Sequence, residues 1–142
     1  MTDLTLQPTL KEALARLSDG AITAYREKLG DLVEGVNRIM RSHPRLVDLV
    51  GPSSLRMMLD NHRNHGAFMA NVFLTRNSEL LTKILPWVYR SYTNHGFSPD
   101  YFPEVLCAWE ESLKAHLPRH HEELRGVYEA MRHHHDSLLK AM

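Results

Sequence analysis

The chain carries one cysteine, Cys107, among 142 residues. A disulfide framework within one copy is therefore excluded. The position of Cys107 after Val105-Leu106 predicts a small buried apolar side chain rather than a nucleophile. Neither charge is in excess, because Lys plus Arg and Asp plus Glu each total 17. A nucleic-acid partner is not expected of so balanced a chain. No apolar run reaches the roughly 18 residues of a spanning helix, so no membrane insertion is expected. The opening MTDLTLQPTL lacks both a basic region and an apolar core. No secretory leader is expected there, and the predicted location is cytoplasmic. There is no CxxC pair, no glycine-rich phosphate loop and no Ser-His-Asp or Cys-His order. Glu110 and Glu111 beside Lys114, and Glu122 and Glu123, read as solvated helix faces. No independent catalytic site is expected.

Strand alternation and internal repeats are missing too. Apolar residues make up 43% and charged residues 24%, the balance of a folded rather than a disordered chain. The apolar spacing is helical throughout. Residues 1–8 read as a loose arm, followed by a short helix carrying Leu10, Leu14 and Leu17. A second helix is predicted from about Ala21 to Arg41, with Ile22, Tyr25, Leu29, Leu32, Val36 and Ile39 on one stripe. Gly30 and Gly35 lower its propensity and mark places where another helix can cross closely. His43-Pro44 ends it, and a short corner covers Arg45 to Val50. Ser53 or Ser54 is placed to cap the next helix, with Met58, His62, His65, Met69, Val72 and Phe73 on its stripe. Ser78 is placed to cap a helix carrying Leu81, Ile84, Leu85, Val88 and Tyr92, which Pro86 should kink or restart. Gly96 suits a helix end. Ser98-Pro99-Asp100 suits a helix start. Phe102, Val105, Leu106, Trp109, Leu113 and Leu117 fill that helix, and Pro118 breaks it. A last helix is predicted from about Arg119 to Met142. The fold class is all-α, an irregular bundle of about seven segments in one domain.

The ten histidines are a heavy load for this length. Imidazole binds metals and haem and changes charge near neutral pH. Consecutive helical residues point about 100° apart, so His133, His134 and His135 cannot meet at one ion. His62 and His65 stand one turn apart, but no Glu-x-x-His pattern supplies further ligands. The stretch YRSYTNHGFSPDYF (Tyr89–Phe102) puts His95 at the end of a stripe that runs Ile84, Val88, Tyr92, His95. His62 on the preceding helix can face it. Met69, Val72, Phe73, Leu81 and Leu85 then offer an apolar slot between the two helices. Those residues suit either a haem or plain core packing.

Three stretches together resemble the globin superfamily. NHGAFMANVFLTRNSELLTKILPWVYRSYTNH, from Asn64, looks like the paired helices that enclose haem in bacterial globins. HGFSPDYFPEVLCAWEESLKAHL, His95 to Leu117, is similar to the turn and long helix that follow. SHPRLVDLV, Ser42 to Val50, resembles the corner before the distal helix. The resemblance covers residues 20–142, a globin-like helical domain, after a 1–19 arm and short helix. It implies noncovalent haem b, since no CxxCH motif is present. It implies His62 on the distal side, and Met69, Phe73, Leu85 and Val88 lining the group. For the proximal iron ligand it leaves two residues. Counting from Leu85-Pro86-Trp87-Val88 reaches His95, whereas counting back from Gly96-Phe97-Ser98-Pro99 reaches Tyr92. His95 suits either iron oxidation state, and a Tyr92 phenolate suits ferric iron. The usual corner phenylalanine is replaced by Val47, Leu49 or Val50, and the usual distal tyrosine by Leu32 or Val36. The function implied is binding or sensing of a diatomic gas. Haem-free members of the superfamily imply the alternative, a regulatory or interaction module with a signalling partner, forming a homodimer through its C-terminal helices.

Overall fold

Helical periodicity becomes helix throughout the computed structural model, which describes residues 5–52 and 54–142. Among those residues there are nine helices and no strand. They are α1 (Leu6–Ala15), α2 (Asp19–Glu27), α3 (Leu29–Arg41), α4 (Leu46–Val50), α5 (Leu55–Thr75), α6 (Ser78–Asn94), α7 (Tyr101–His116), α8 (His121–His133) and α9 (His135–Ala141). The fold class is an all-α irregular bundle. No described helix is long and apolar enough to cross a membrane.

The centre is built by α3, α7 and α8. Helix α7 packs against both α3 and α8, α1 lies across α6 and α8, and α5 rests on α2 and α3. Trp109 of α7 is buried at this centre. It stacks on Tyr128 of α8 with ring centroids 5.9 Å apart and lies 6.5 Å from Tyr25 of α2. Burying one such aromatic contributes roughly 1.5–3 kcal/mol, so this trio is a main tie between the helices.

The long helices break where tertiary contacts ask for it. The stretch expected as one helix from Ala21 to Arg41 divides at Lys28, whose φ of −102° and ψ of 11° leave the helical range. The bend lets α2 pack on α5 while α3 packs on α7. The expected last helix likewise divides at His134, and the bend turns α9 onto α6. Pro86 does not restart the helix, since α6 runs continuously through it. Buried Leu81 and Tyr89 anchor α6 on either side of the one backbone bond that proline removes.

Several local expectations shift by a residue or more. Residues 6–8 are helical rather than a loose arm, and Leu6 is buried. Asn77, not Ser78, caps α6, accepting a hydrogen bond from the Leu80 amide at 3.0 Å. Ser78 is instead buried, and its hydroxyl accepts from Gln7. Ser54 stands at the start of α5 but makes no side-chain cap, and Ser53 lies outside the described residues. Cys107 is exposed, not buried, because it lies on the outer face of α7 between core residues Leu106 and Ala108. A close helix crossing occurs at Gly35, where a Cβ would collide with Ser112 of α7, and not at Gly30, which faces open space.

Candidate functional site

A cavity of about 300 Å³ opens between α5 and α6. Its α5 wall is Met57, Asn61, Asn64, His65, Phe68 and Met69. Its α6 wall includes Leu81, Ile84, Leu85, Val88, Ser91 and Tyr92, with Trp87 at the mouth. The spacing explains the walls. Residues 57, 61, 64, 65, 68 and 69 follow one face of a helix, as do 81, 84, 85, 88, 91 and 92. Trp87 is 56% exposed, the largest apolar side chain left at the surface. Beneath the cavity lies a second space of about 40 Å³, framed by Tyr89, Phe102, Trp109, Met131 and Leu138. Asn61, His65, Leu85 and Val88 border both spaces and form the partition between them.

His65 is held by the core behind it. Its Nε2 lies 3.1 Å from the Tyr128 hydroxyl, and its ring centroid lies 5.0 Å from that of Trp109. Nearby, the Tyr25 hydroxyl donates to the Gly66 carbonyl at 3.2 Å. Burial, and then repulsion from a charged His62, push the His65 pKa down to about 3. Asn61 accepts from the Tyr101 hydroxyl at 2.7 Å through its amide oxygen, which leaves its amide N–H groups for the cavity.

The residues named from sequence fall into four places. Met69, Leu85, Val88 and Tyr92 border the cavity. Phe73 belongs to the core, edge-on to Tyr25 at 4.8 Å. His62 is buried but turned to α3, where its Nδ1 donates to Asn37 Oδ1 at 2.7 Å. Its Nε2 has no partner, and burial lowers its pKa to about 4. His95 is exposed at the end of α6, with Nδ1 donating to the Ser91 carbonyl at 2.8 Å. Neither His62 nor His95 borders the cavity. The wall residues not foreseen include Asn61, Asn64 and Phe68, and His65 was not expected to line it. The signal was available in His65-Gly66: a glycine inside a helix marks close packing. A Cβ at Gly66 would lie 2.9 Å from Leu29 and 3.1 Å from Trp109, so α5 is drawn against the core there.

The three consecutive histidines lie elsewhere. The run His133-His134-His135 splits three ways, as the 100° spacing requires. His133 lies 3.8 Å from Glu129, His134 bonds the Ala130 carbonyl, and His135 Nδ1 lies 2.7 Å from the Tyr89 hydroxyl. Among the described residues no three His, Cys, Asp or Glu side chains are grouped to hold a metal ion.

Of the three residues expected as iron ligands, His62 and His95 do not border the α5/α6 cavity. Tyr92 is the one residue of the expected ligand set on the wall. Compared with protein-family models, with curated proteins and with solved structures, the chain matches none.

Proposed function

We propose that the chain is a haem-free globin-like regulatory module whose α5/α6 cavity binds a small apolar ligand. The observation that carries this reading is the cavity itself. Its volume of about 300 Å³ stands at the lower end of small-molecule sites, roughly 300–1,000 Å³. Its lining is mostly apolar with a few polar groups, the usual character of such a site. The globin-like part rests on the resemblance of residues 20–142 and on helix pairings compatible with it: α3 with α5 and α7, α7 with α8, and α6 with α9. The regulatory part rests on the same resemblance, which includes haem-free members of the superfamily. A ligand wedged between α5 and α6 would act by changing how those helices pack, and so which surface a signalling partner or second copy meets. Most apolar residues of the C-terminal helices are already spent on the core, including Leu124, Val127, Tyr128, Met131 and Leu138. A homodimer through those helices would use what remains, and sedimentation equilibrium across a concentration series tests it.

Ethylbenzene, which has no polar group, is the test ligand. Saturable amide and indole NMR shifts at Phe68, Trp87, Val88 and Tyr92 would support the site. Shifts that stay linear up to the solubility limit would sink it. Tyr92 favours a second reading, ferric haem b in the widened cavity, with a phenolate as the iron ligand. Bound there, haem would supply an iron centre open to diatomic gases. Hemin titration decides between the two. A sharp stoichiometric spectrum lost in Tyr92→Phe but kept in His95→Ala supports the haem reading, and no saturable spectrum removes it.

A further inference from the structure

The α5/α6 cavity is graded in polarity from one end to the other. Helix α6 turns back along α5 through the short connection at Arg76 and Asn77. One end of the cavity therefore lies at that turn. There Met69 and Leu81 are fully buried, and Phe68, Ile84 and Leu85 complete an apolar wall. The other end lies toward the start of α5 and the close of α6. There Asn61, Ser91 and Tyr92 border the space, with Met57 the apolar side chain beside them. At a helical rise of about 1.5 Å per residue, Leu81 and Tyr92 stand about 16 Å apart along α6. A volume of about 300 Å³ spread over that length leaves a cross-section of roughly 20 Å², the width of one extended hydrocarbon chain. The polar end has hydrogen-bonding capacity to spare. Among the described residues no group bonds the Ser91 or Tyr92 hydroxyl. The Asn61 carbonyl oxygen is taken by Tyr101 at 2.7 Å, so its amide N–H groups are left over. No Lys, Arg, Asp or Glu side chain borders the cavity.

We infer that the cavity takes a single-chain amphiphile: an unbranched alkyl tail directed at Met69 and Leu81, and a neutral oxygen-bearing head, an alcohol or ester, among Asn61, Ser91 and Tyr92. The inference rests on the cavity binding small apolar ligands, as proposed above, and adds to it a length, a direction and a head group. The tail leaves water for a wall that offers it nothing but apolar contacts. The head finds hydroxyls that either donate or accept, and an amide that donates, so its oxygen is satisfied. A ligand lying the other way would leave that oxygen buried at the turn end without a partner, which is costly. A carboxylate or an ammonium would exchange water for a wall with no opposite charge, and that costs more. The polar groups thus set the direction, and the spacing of the walls sets the shape.

The experiment measures dissociation constants by calorimetry on the whole chain. The ligands are the straight-chain primary alcohols from butanol to octanol, with ethylbenzene, octanoate and octylammonium beside them. Affinity for the alcohols should rise about fourfold per added methylene as the tail extends toward the turn. Octanoate and octylammonium at neutral pH should each bind at least about tenfold more weakly than octanol. In a double variant, Ser91→Ala with Tyr92→Phe, octanol should weaken about fivefold, the size of a lost hydrogen bond. Ethylbenzene, which needs no such bond, should bind the variant as it binds wild type. Nuclear Overhauser contacts read the direction. The terminal methyl of octanol should contact the methyl groups of Met69 and Leu81, and its first methylene the Tyr92 ring. If ethylbenzene binds but octanol binds no more tightly than butanol, or its contacts run the other way, the amphiphile inference falls and the cavity reading stands. Octanoate binding as tightly as octanol would overturn the inference at the head group. If neither ethylbenzene nor any alcohol binds wild type, both readings fall.

Discussion

Acid should destabilise this fold through two adjacent histidines. His62 and His65 are both neutral in the folded chain, with pKa values lowered to about 4 and about 3 by burial. In the unfolded chain each returns to about 6.5. A lowered folded value means the unfolded state binds protons first as pH falls. The stabilisation is therefore complete above the unfolded value and is lost between about pH 6.5 and pH 3–4. From pH 7 to pH 5, each histidine costs about 2 kcal/mol, or about 4 kcal/mol together, against a usual domain stability of roughly 5–15 kcal/mol. The structure shows why His62 in particular resists the proton. His62 Nε2 is sealed with no acceptor near it, and a charge on either ring repels one on the other. Urea unfolding at pH 7, 6 and 5 measures the loss. His65→Gln, which does not titrate, should shrink the pH 7 to pH 5 loss by about 2 kcal/mol, whatever its stability at pH 7. A variant that keeps the wild-type loss in full would refute the assignment of the acid sensitivity to this pair.

Trp109→Ala should lower stability by about 3–5 kcal/mol, since it empties the stack between Tyr25 and Tyr128, and thermal unfolding by circular dichroism reads it. Two glycine substitutions should have opposite signs in the same assay. Gly66→Ala should cost about 1–3 kcal/mol by pressing on Leu29, Val33 and Trp109. Gly126→Ala, which meets open space inside α8, should gain up to about 1 kcal/mol from helix propensity. Arg132→Lys should lose about 1 kcal/mol, because a single ammonium cannot replace the two-pronged contact with Glu110 at 2.9 and 3.3 Å that joins α8 to α7. Equal unfolding midpoints for Arg132→Lys and wild type would show that contact to be idle.

Helix and its faces were legible because both are local. The three-and-four spacing in each segment already separates core from surface, so Leu10, Leu14, Leu32, Val36, Leu113 and Leu124 are buried as that spacing requires. The ends at His43-Pro44 and Gly96 were legible for the same reason. The bends at Lys28 and His134 were not, because no local signal demands them: each arises where one helix must follow two partners. The α5/α6 slot could be read as an apolar interval between two amphipathic helices, and Met69, Leu85, Val88 and Tyr92 do border it. Its polar wall could not. His62 and His65 share one helix three residues apart, and sequence offers no reason to send one toward Asn37 and the other toward the cavity. That is decided by the rotation of α5 about its axis, which depends on how closely Gly66 lets it approach Leu29, Val33 and Trp109. The contact of His65 with Tyr128 is more distant still from the sequence. It joins α5 to α8, whose side chains have no relation until the chain is folded. Periodicity alone determined which side chains leave water. Only the packed structure decided which few polar groups among them would be left facing a cavity, because that is set by how each helix is rotated and how closely its neighbours approach.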